Sequence, residues 1–202
     1  MHTVGVLVFP GFELLDVFGP MEMFGHLPNE YELILVAEVA GKVKSNPSIN
    51  VWADTTTSDN SKFDMLFVPG GPGTRYEVNN DYLIDWVRQA AQNAEYIVSV
   101  CTGSALLAKA GVLDGKQATT NKAAFNWVVS QGPDVIWKPS ARWVEDGNIF
   151  TSSGVSAGMD MALAVIARMH GMARAEEVAT WCEYQWHRDP SWDPFAKTHG
   201  LD

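Results

Sequence analysis

The sequence contains few cysteines: Cys101 and Cys182 are the only two in 202 residues. The amino terminus also lacks the basic lead, long apolar centre and cleavage site of a secretion signal. We therefore expect two free thiols in a cytoplasmic protein, and no disulfide framework. No stretch approaches the roughly 18 consecutive apolar residues that a membrane span requires, so no membrane segment is predicted.

Basic residues are also scarce, with 14 lysines and arginines against 24 acidic residues and a formal net charge of −10. This balance repels nucleic acid and anionic membranes, so neither is expected as a partner. No cysteine and histidine cluster has zinc spacing and no phosphate-binding loop is present, so no metal and no cofactor are predicted. The sequence has no internal repeat and no low-complexity segment.

The 47% apolar content suffices for a sizeable core, and we expect residues 1–202 to form one domain with an aromatic tail from about residue 184. We expect this tail to be mobile around His187. Apolar runs that alternate with helical patterns predict a doubly wound, mostly parallel α/β sheet with helices on both faces. The predicted strands are Val4–Phe9, Tyr31–Val39, Phe63–Val68, Tyr96–Val100, Ala118–Thr120, Val135–Trp137, Ala141–Val144 and Ile149–Ser152. The predicted helices are Phe12–Met23, Asn80–Asn93, Gly103–Ala110, Ala123–Ser130, Ser156–His170 and Arg174–Glu183.

Local signals refine this pattern. Gly19-Pro20 predicts a break inside the first helix. The short segments around Val43, Ile49 and Val51 predict a small antiparallel excursion, and Asp146-Gly147 predicts a hairpin turn.

Cys101 lies between a buried strand and a helix, with only Thr102 separating it from Gly103. A strand that turns into a helix so abruptly bends sharply and pushes the residue at the bend out of the sheet edge, as in a nucleophile elbow. The amide-rich start of the helix would favour a thiolate there. The alternative is a buried structural cysteine, because free cysteines are among the most buried residues.

Polar or glycine residues also follow two other predicted strands: Asp16 after the first and Gly70-Gly71 after the third. Ligands of open α/β sheets bind at the carboxyl ends of strands, so these loops and Cys101-Thr102 should converge on one face. Asp16 could equally be a helix cap. Gly70 and Gly71 could form an anion-binding nest or an ordinary turn.

Five motifs together resemble one family. They are Leu15-Asp16-Val17-Phe18-Gly19-Pro20, Val68-Pro69-Gly70-Gly71, Val100-Cys101-Thr102-Gly103-Ser104, Ala118-Thr119-Thr120, and the run from Thr151 to Asp160. The chain resembles the DJ-1/PfpI superfamily, a flavodoxin-like group related to class I glutamine amidotransferases. Within it, an acid in a Leu-Asp-x-x-Gly-Pro setting together with Cys-Thr-Gly is most similar to the isocyanide hydratase branch. The resemblance implies a cofactor-independent hydro-lyase that converts a small electrophilic isocyanide to an N-substituted formamide, and a homodimer.

The resemblance implies roles for individual residues. Cys101 would be the nucleophile, Asp16 the acid and base, and Thr102 a supporting residue whose amide can hold negative charge. Amides near Gly70, Gly71 and Gly103 would hold charge or substrate. A carboxylate beside a thiolate raises both pKa values, so we expect Asp16 to be protonated when Cys101 is ionised.

The histidines do not follow the pattern of a Cys-His enzyme. None of the five directly follows the elbow, and Thr119-Thr120 is followed by Asn121-Lys122 where many relatives have histidine. This departure argues against peptidase or amidotransferase chemistry. Two alternatives to the hydratase stay open: a glutathione-independent glyoxalase-like enzyme, and a non-catalytic redox sensor in which Cys101 is oxidised.

Overall fold

The computed structural model describes residues 1–59 and 62–201. Its helices are α1 (Leu14–Gly25), α2 (Thr74–Glu77), α3 (Asp81–Asn93), α4 (Gly103–Lys109), α5 (Phe125–Val129), α6 (Ala157–His170), α7 (Met172–Trp181) and α8 (Pro194–Thr198). Its strands are β1 (His2–Leu7), β2 (Tyr31–Ala37), β3 (Gly41–Lys44), β4 (Asn50–Ala53), β5 (Thr55–Thr56), β6 (Met65–Val68), β7 (Tyr96–Ser99), β8 (Gln117–Ala118), β9 (Ile136–Trp137), β10 (Trp143–Asp146) and β11 (Ile149–Ser152). In the described part of the chain, no helix is both long and apolar enough to cross a membrane.

The central sheet has seven strands in the order β10-β11-β7-β6-β1-β2-β5. All neighbours pair in parallel except the β10–β11 hairpin. The five inner strands β2, β1, β6, β7 and β11 follow the order 2-1-3-4-5 of flavodoxin-like folds. The predicted doubly wound α/β fold is confirmed, and the strand order reverses between β1 and β6, where such sheets bind ligands.

The inner strands are buried because helices cover both faces of the sheet. All residues of β6 and β11 are buried, as are the last four of β1. Continuous apolar runs without alternation are typical of parallel strands covered in this way. This burial fixes the strand ends from which the site is built.

Helix α1 differs from the prediction. It runs without interruption from Leu14 to Gly25 with Pro20 inside it, so the predicted break is wrong. Proline removes one backbone hydrogen bond from a helix. Here Gly19 and Pro20 pack closely on α6, against Met159 and Gly158 respectively, and this tertiary packing holds the helix together.

The smaller predicted elements are confirmed. β3 and β4 pair as the antiparallel excursion, and β10 and β11 form the hairpin around Gly147, whose φ is +68°. Helix α3 begins at the side chain of Asn80, which accepts a hydrogen bond from the Leu83 amide. The turn of helix at α2 and the short helix α8 were not predicted, because neither has an extended apolar pattern.

The carboxyl-terminal segment packs against the domain, so the prediction of a mobile tail is wrong. Asp193 is buried and caps α8 by accepting from the Phe195 amide at 2.9 Å. The Asp193 amide donates to the Ser140 carbonyl, and the Arg142 amide donates to the Pro190 carbonyl. These bonds tie the tail to the segment that leads into β10.

Gly103, directly after the elbow, leaves no room for an added methyl group. A Cβ there would lie 2.2 Å from the Val68 carbonyl oxygen, which belongs to a buried strand and cannot move freely. Gly103→Ala should therefore lower the free energy of unfolding by about 2–3 kcal/mol in urea denaturation. The control is Gly115→Ala, where φ is +71° and no atom lies within 4 Å, so only about 1 kcal/mol of backbone strain is expected. Equal losses in the two variants would contradict the steric explanation.

Candidate active site

Cys101 occupies a strained bend between β7 and α4. Its φ is +57°, a left-handed conformation that is uncommon for any residue other than glycine. The bend is fixed from several sides: the Cys101 amide donates to the Ser152 and Ser153 carbonyls, and the Cys101 carbonyl accepts from the Thr120 hydroxyl at 2.9 Å and the Ser104 hydroxyl at 3.1 Å. Such strain persists only where the surroundings hold it, and it is concentrated at functional sites.

Asp16 lies in the first turn of α1 and is fully buried. Its Oδ2 accepts from the Gly70 amide at 2.9 Å. Its Oδ1 is buried and makes no hydrogen bond of normal geometry within the described residues. Asp16 does not cap the helix, because the helix begins after Glu13 with no side-chain cap. A buried carboxyl oxygen without a partner is costly in the ionised state.

The structure brings Asp16 and Cys101 together in one desolvated site. The pKa of Asp16 is raised to about 7, chiefly by burial and to a smaller extent by the charge of Glu13, against the lowering effect of the Gly70 amide and the Cys101 side chain. Burial also raises the pKa of the Cys101 thiol, and the charge of Asp16 adds to this increase. The helix terminus therefore does not lower the pKa of Cys101 below its ordinary value, contrary to the sequence-based expectation, because desolvation outweighs it.

Because the ionisations of Asp16 and Cys101 are coupled, their pKa values describe the pair of groups and not either residue alone. Both pKa values are raised, so near neutral pH the pair retains at least one proton. The expected rise of both pKa values is confirmed. The cause at Asp16 differs from the expected one, since burial and Glu13 raise its pKa and the thiol acts as a hydrogen-bonding group.

The glycine amides that the sequence assigned to charge binding already have protein acceptors. The Gly70 amide donates to Asp16, the Gly71 amide to the Thr102 hydroxyl at 3.0 Å, and the Gly103 amide to the Val100 carbonyl. The Gly70 backbone approaches the elbow so closely that a Cβ would lie 2.5 Å from the Thr102 amide nitrogen. In this arrangement the glycines position the acid and the elbow, and their role in substrate binding stays a prediction.

Two other amides face the reactive groups. The amide and hydroxyl of Thr102 lower the pKa of Cys101, and the Val155 amide lowers the pKa of both Cys101 and Asp16. Val155 has a φ of +47°, which is a genuine outlier for a β-branched residue. The sequence-based site lacked Val155 and Glu13. The sequence did contain a signal for Val155: the small residues Ser152-Ser153-Gly154 precede it between a strand and a helix, as small residues also do at the Cys101 elbow.

A buried ionic network holds the Val155 loop. The Arg142 guanidinium bonds Asp160 of α6 through Nε at 2.7 Å and Nη2 at 2.6 Å, and it lies 3.5 Å from Asp193 of the tail. The Arg142 carbonyl accepts from the Ser153 amide at 2.8 Å, directly before the loop. Asp160 also accepts from the Tyr184 hydroxyl and from the His187 amide. The network therefore links the tail to the backbone beside the reactive pair.

Four of the five histidines contact groups other than the reactive pair, and the fifth, His199, lines the cavity beside Val155. His26 pairs with Glu22 at the end of α1, and both His2 and His170 stack near Tyr31. His187 lies against Asp160 and Trp192. Asn121, at the position where many relatives have histidine, accepts from the Ala124 amide at 3.0 Å in the turn that precedes α5.

A cavity of about 280 Å³ lies beside the Val155 end of the site. One wall is the loop that carries Val155, the opposite wall is Asn121 and its neighbours, and the tail contributes Phe195 and His199. Phe195 is 55% exposed. Neither tail residue was a sequence-based candidate, because their proximity depends on how the tail packs.

The fold and the site together define a flavodoxin-like protein with a cysteine elbow and a carboxyl partner. The DJ-1/PfpI family profile matches residues 2–168, and the chain belongs to that family. The chain is 35% identical over 181 residues to an isonitrile hydratase of Pseudomonas putida, which covers 90% of this chain and 78% of that protein.

Other relatives have different roles. A transcriptional regulator of Pseudomonas aeruginosa, GbdR, is 26% identical over 91% of this chain, but the chain spans only 51% of that protein. Among solved structures, a ThiJ/PfpI family protein from Pseudomonas syringae superposes with a TM-score of 0.84 at 30% identity, over 91% of this chain and 75% of that one. A mutant of a DJ-1 superfamily protein from Salmonella typhimurium superposes with a TM-score of 0.80 at 26% identity, over 92% and 100%. The family thus includes an enzyme and regulators.

The raised pKa of Asp16 predicts how the stability of the protein depends on pH. Because the pKa rises from 3.8 to about 7 on folding, the protonated carboxyl contributes its full stability below about pH 4. That contribution is lost as the pH rises to about 7. The variant Asp16→Asn keeps an acceptor for the Gly70 amide. We expect the free energy of unfolding of this variant, relative to that of the parent, to be higher at pH 8 than at pH 4.5 by a few kcal/mol. Chemical denaturation at both pH values measures this. An unchanged difference between the two proteins at the two pH values would contradict the buried carboxyl.

A second prediction concerns the reactivity of Cys101. Removing the charge of Asp16 should lower the pKa of the thiol, because that charge raises it. In a Cys182→Ser background, which leaves Cys101 as the one thiol, Asp16→Asn should shift the midpoint of iodoacetamide alkylation to lower pH by at least about one unit. Asp114→Asn, a surface carboxylate removed in the same background, is the matched control. An unshifted midpoint in Asp16→Asn would show that the two groups are not coupled.

Proposed function

We infer that this protein is a cofactor-independent hydratase of isocyanide type, a hydro-lyase that yields N-substituted formamides. The observation that carries the proposal is the buried pair of Cys101 and Asp16, in which the proton partner of the thiol is a carboxyl group. Similarity to the isonitrile hydratase supports the same reaction. Peptide or amide hydrolysis requires an imidazole to protonate a leaving amine, whereas hydration of an isocyanide has no leaving amine.

The chemistry follows from one shared proton. In the reactive state Asp16 holds the proton and Cys101 is a thiolate. The sulfur attacks the terminal isocyanide carbon and forms a carbon–sulfur bond, while Asp16 delivers its proton to that same carbon, which gives a thioimidate. Water then adds across the carbon–nitrogen double bond with the Asp16 carboxylate relaying its proton to nitrogen. Cleavage of the carbon–sulfur bond releases the thiolate, and the proton left on the formamide oxygen returns to Asp16.

The site supplies the groups that these steps require. The Thr102 and Val155 amides face the sulfur and stabilise its negative charge before attack and after release. The raised pKa of Asp16, about 7, suits a group that must both donate and accept a proton near neutral pH.

We assign the substituent of the isocyanide to the cavity that Val155 lines, because Val155 is the residue that this cavity shares with the surroundings of the reactive pair. The cavity of about 280 Å³ is large enough for a small alkyl or aryl group, and Val155 and Phe195 offer apolar surface. The substrate class of the proposal is therefore small isocyanides with an apolar substituent.

Two further expectations from the sequence accompany the proposed function. The cytoplasmic location and the homodimer expected from the sequence stay predictions. A surface that includes Leu15 and Phe18 of α1, which are 40% and 38% exposed, supports the homodimer because these apolar side chains lie next to Asp16 on the helix.

A non-catalytic redox sensor is the main rival, and the transcriptional regulator among the relatives keeps a non-enzymatic role open. Sensor cysteines are exposed and have lowered pKa values. Cys101 is only 6% exposed, which weighs against this rival, whereas the raised pKa of its thiol bears equally on both functions, because both require a thiolate. A glyoxalase-like reaction is distinguished by lactate formation from methylglyoxal.

The test is formamide production from an alkyl isocyanide and an aryl isocyanide, followed by mass spectrometry. Cys101→Ala should abolish the activity, because no other group can form the thioimidate. Asp16→Asn should lower kcat/KM by about 10²- to 10⁴-fold, the usual effect of losing a positioned acid and base. Asp114→Asn, an exposed carboxylate on the far side of α4, is the control and should retain activity. Formamide production by Cys101→Ala at the parent rate would exclude the mechanism. Selective oxidation of Cys101 by peroxide, with no turnover of either isocyanide, would favour the sensor.

A further inference from the structure

Three potential metal ligands meet away from the reactive pair. Glu22 lies in the last turn of α1, His26 is the C-cap residue directly after that helix, and Cys182 follows the last residue of α7. A carboxylate oxygen, an imidazole nitrogen and the sulfur all lie within 4.8 Å of one another. The two helices come together because both pack on α6, so residues that are distant in sequence become neighbours.

The spacing of the Glu22 and His26 ligand atoms fits a tetrahedral metal ion. The His26 Nε2 and Glu22 Oε1 atoms are 3.3 Å apart. With metal–nitrogen and metal–oxygen bonds of about 2.0–2.1 Å, the edge of a tetrahedron around zinc is about 3.3 Å. Two ligands at i and i+4 on one helix face are also the arrangement by which helices present paired zinc ligands. The direct pair of Glu22 and His26 is therefore already at ligand-to-ligand distance.

The donor set indicates the class of ion. Sulfur, nitrogen and carboxylate oxygen are the three ligand types of zinc, whereas magnesium and calcium prefer oxygen alone. The geometry points to a three-ligand site for a borderline-soft divalent cation of the zinc type, formed by Glu22, His26 and Cys182. The His26 and Glu22 side chains are 32% and 68% exposed, so solvent can reach the ion and complete its coordination with water.

The experiment uses the full-length protein, stripped with chelator and desalted, with cobalt(II) as the spectroscopic probe and zinc(II) in competition with a chromogenic chelator. We expect one cobalt per chain and a thiolate-to-cobalt charge-transfer band that zinc displaces. Cys182→Ser should remove the band, and His26→Gln should weaken binding by about 100-fold. His26 is on the helix surface, so this second variant tests the site without disturbing the core.

Two controls separate this site from the reactive pair and from surface carboxylates. Cys101→Ala should retain the band, because Cys101 is not a ligand. Glu22→Gln should weaken binding, whereas Glu32→Gln, an exposed glutamate of β2, should leave it unchanged. A band that is absent from the parent protein, that survives in Cys182→Ser, or that disappears in Cys101→Ala would overturn the proposal. None of these results depends on whether isocyanide is turned over.

Discussion

A carboxyl group buried beside a thiol is the constraint on which the site depends. Asp16 is fully buried, and its Oδ2 accepts one hydrogen bond from the Gly70 amide. Desolvation then raises its pKa to about 7 and, together with the charge of Asp16, raises that of Cys101. Deprotonation costs each group more free energy here than it would in water, so one proton is shared between Asp16 and Cys101. A solvent-exposed aspartate in the same place would be permanently ionised and could not donate.

The sheet provides this constraint through its strand ends. The segments that follow β1, β6, β7 and β11 contribute Asp16, Gly70, Cys101 and Val155, and the four strands are neighbours in the sheet. Two of these residues, Cys101 and Val155, have positive φ values that cost about 1–3 kcal/mol each. Buried strands on either side and bonds from Ser152, Thr120 and Ser104 hold the strained elbow in place.

The carboxyl-terminal tail also helps to hold the backbone near the reactive pair in place, through the ionic network around Arg142. Arg142 joins Asp160, at the start of α6, to Asp193 of the tail, and its backbone bonds Ser153. Loss of either partner of such a buried pair leaves an uncompensated charge, which is strongly destabilising. The carboxyl-terminal segment is thus part of the wall of the site, and Phe195 and His199 reach the cavity through it.

The sequence by itself determined the doubly wound α/β fold and the bend at Cys101, because these depend on local patterns: apolar runs and an abrupt change from strand to helix. The role of Asp16 followed from the family resemblance and stays a prediction. Only the tertiary structure decided the features that depend on contacts between distant residues. Pro20 stays inside α1 because α6 packs on it, the thiol has a raised pKa because burial outweighs the helix terminus, and the Gly70 and Gly71 amides serve Asp16 and Thr102. The cluster of Glu22, His26 and Cys182 could not be found from spacing, because its members meet only when α1 and α7 pack on the same helix. Desolvation and side-chain proximity are properties of the folded chain, and no local pattern encodes them.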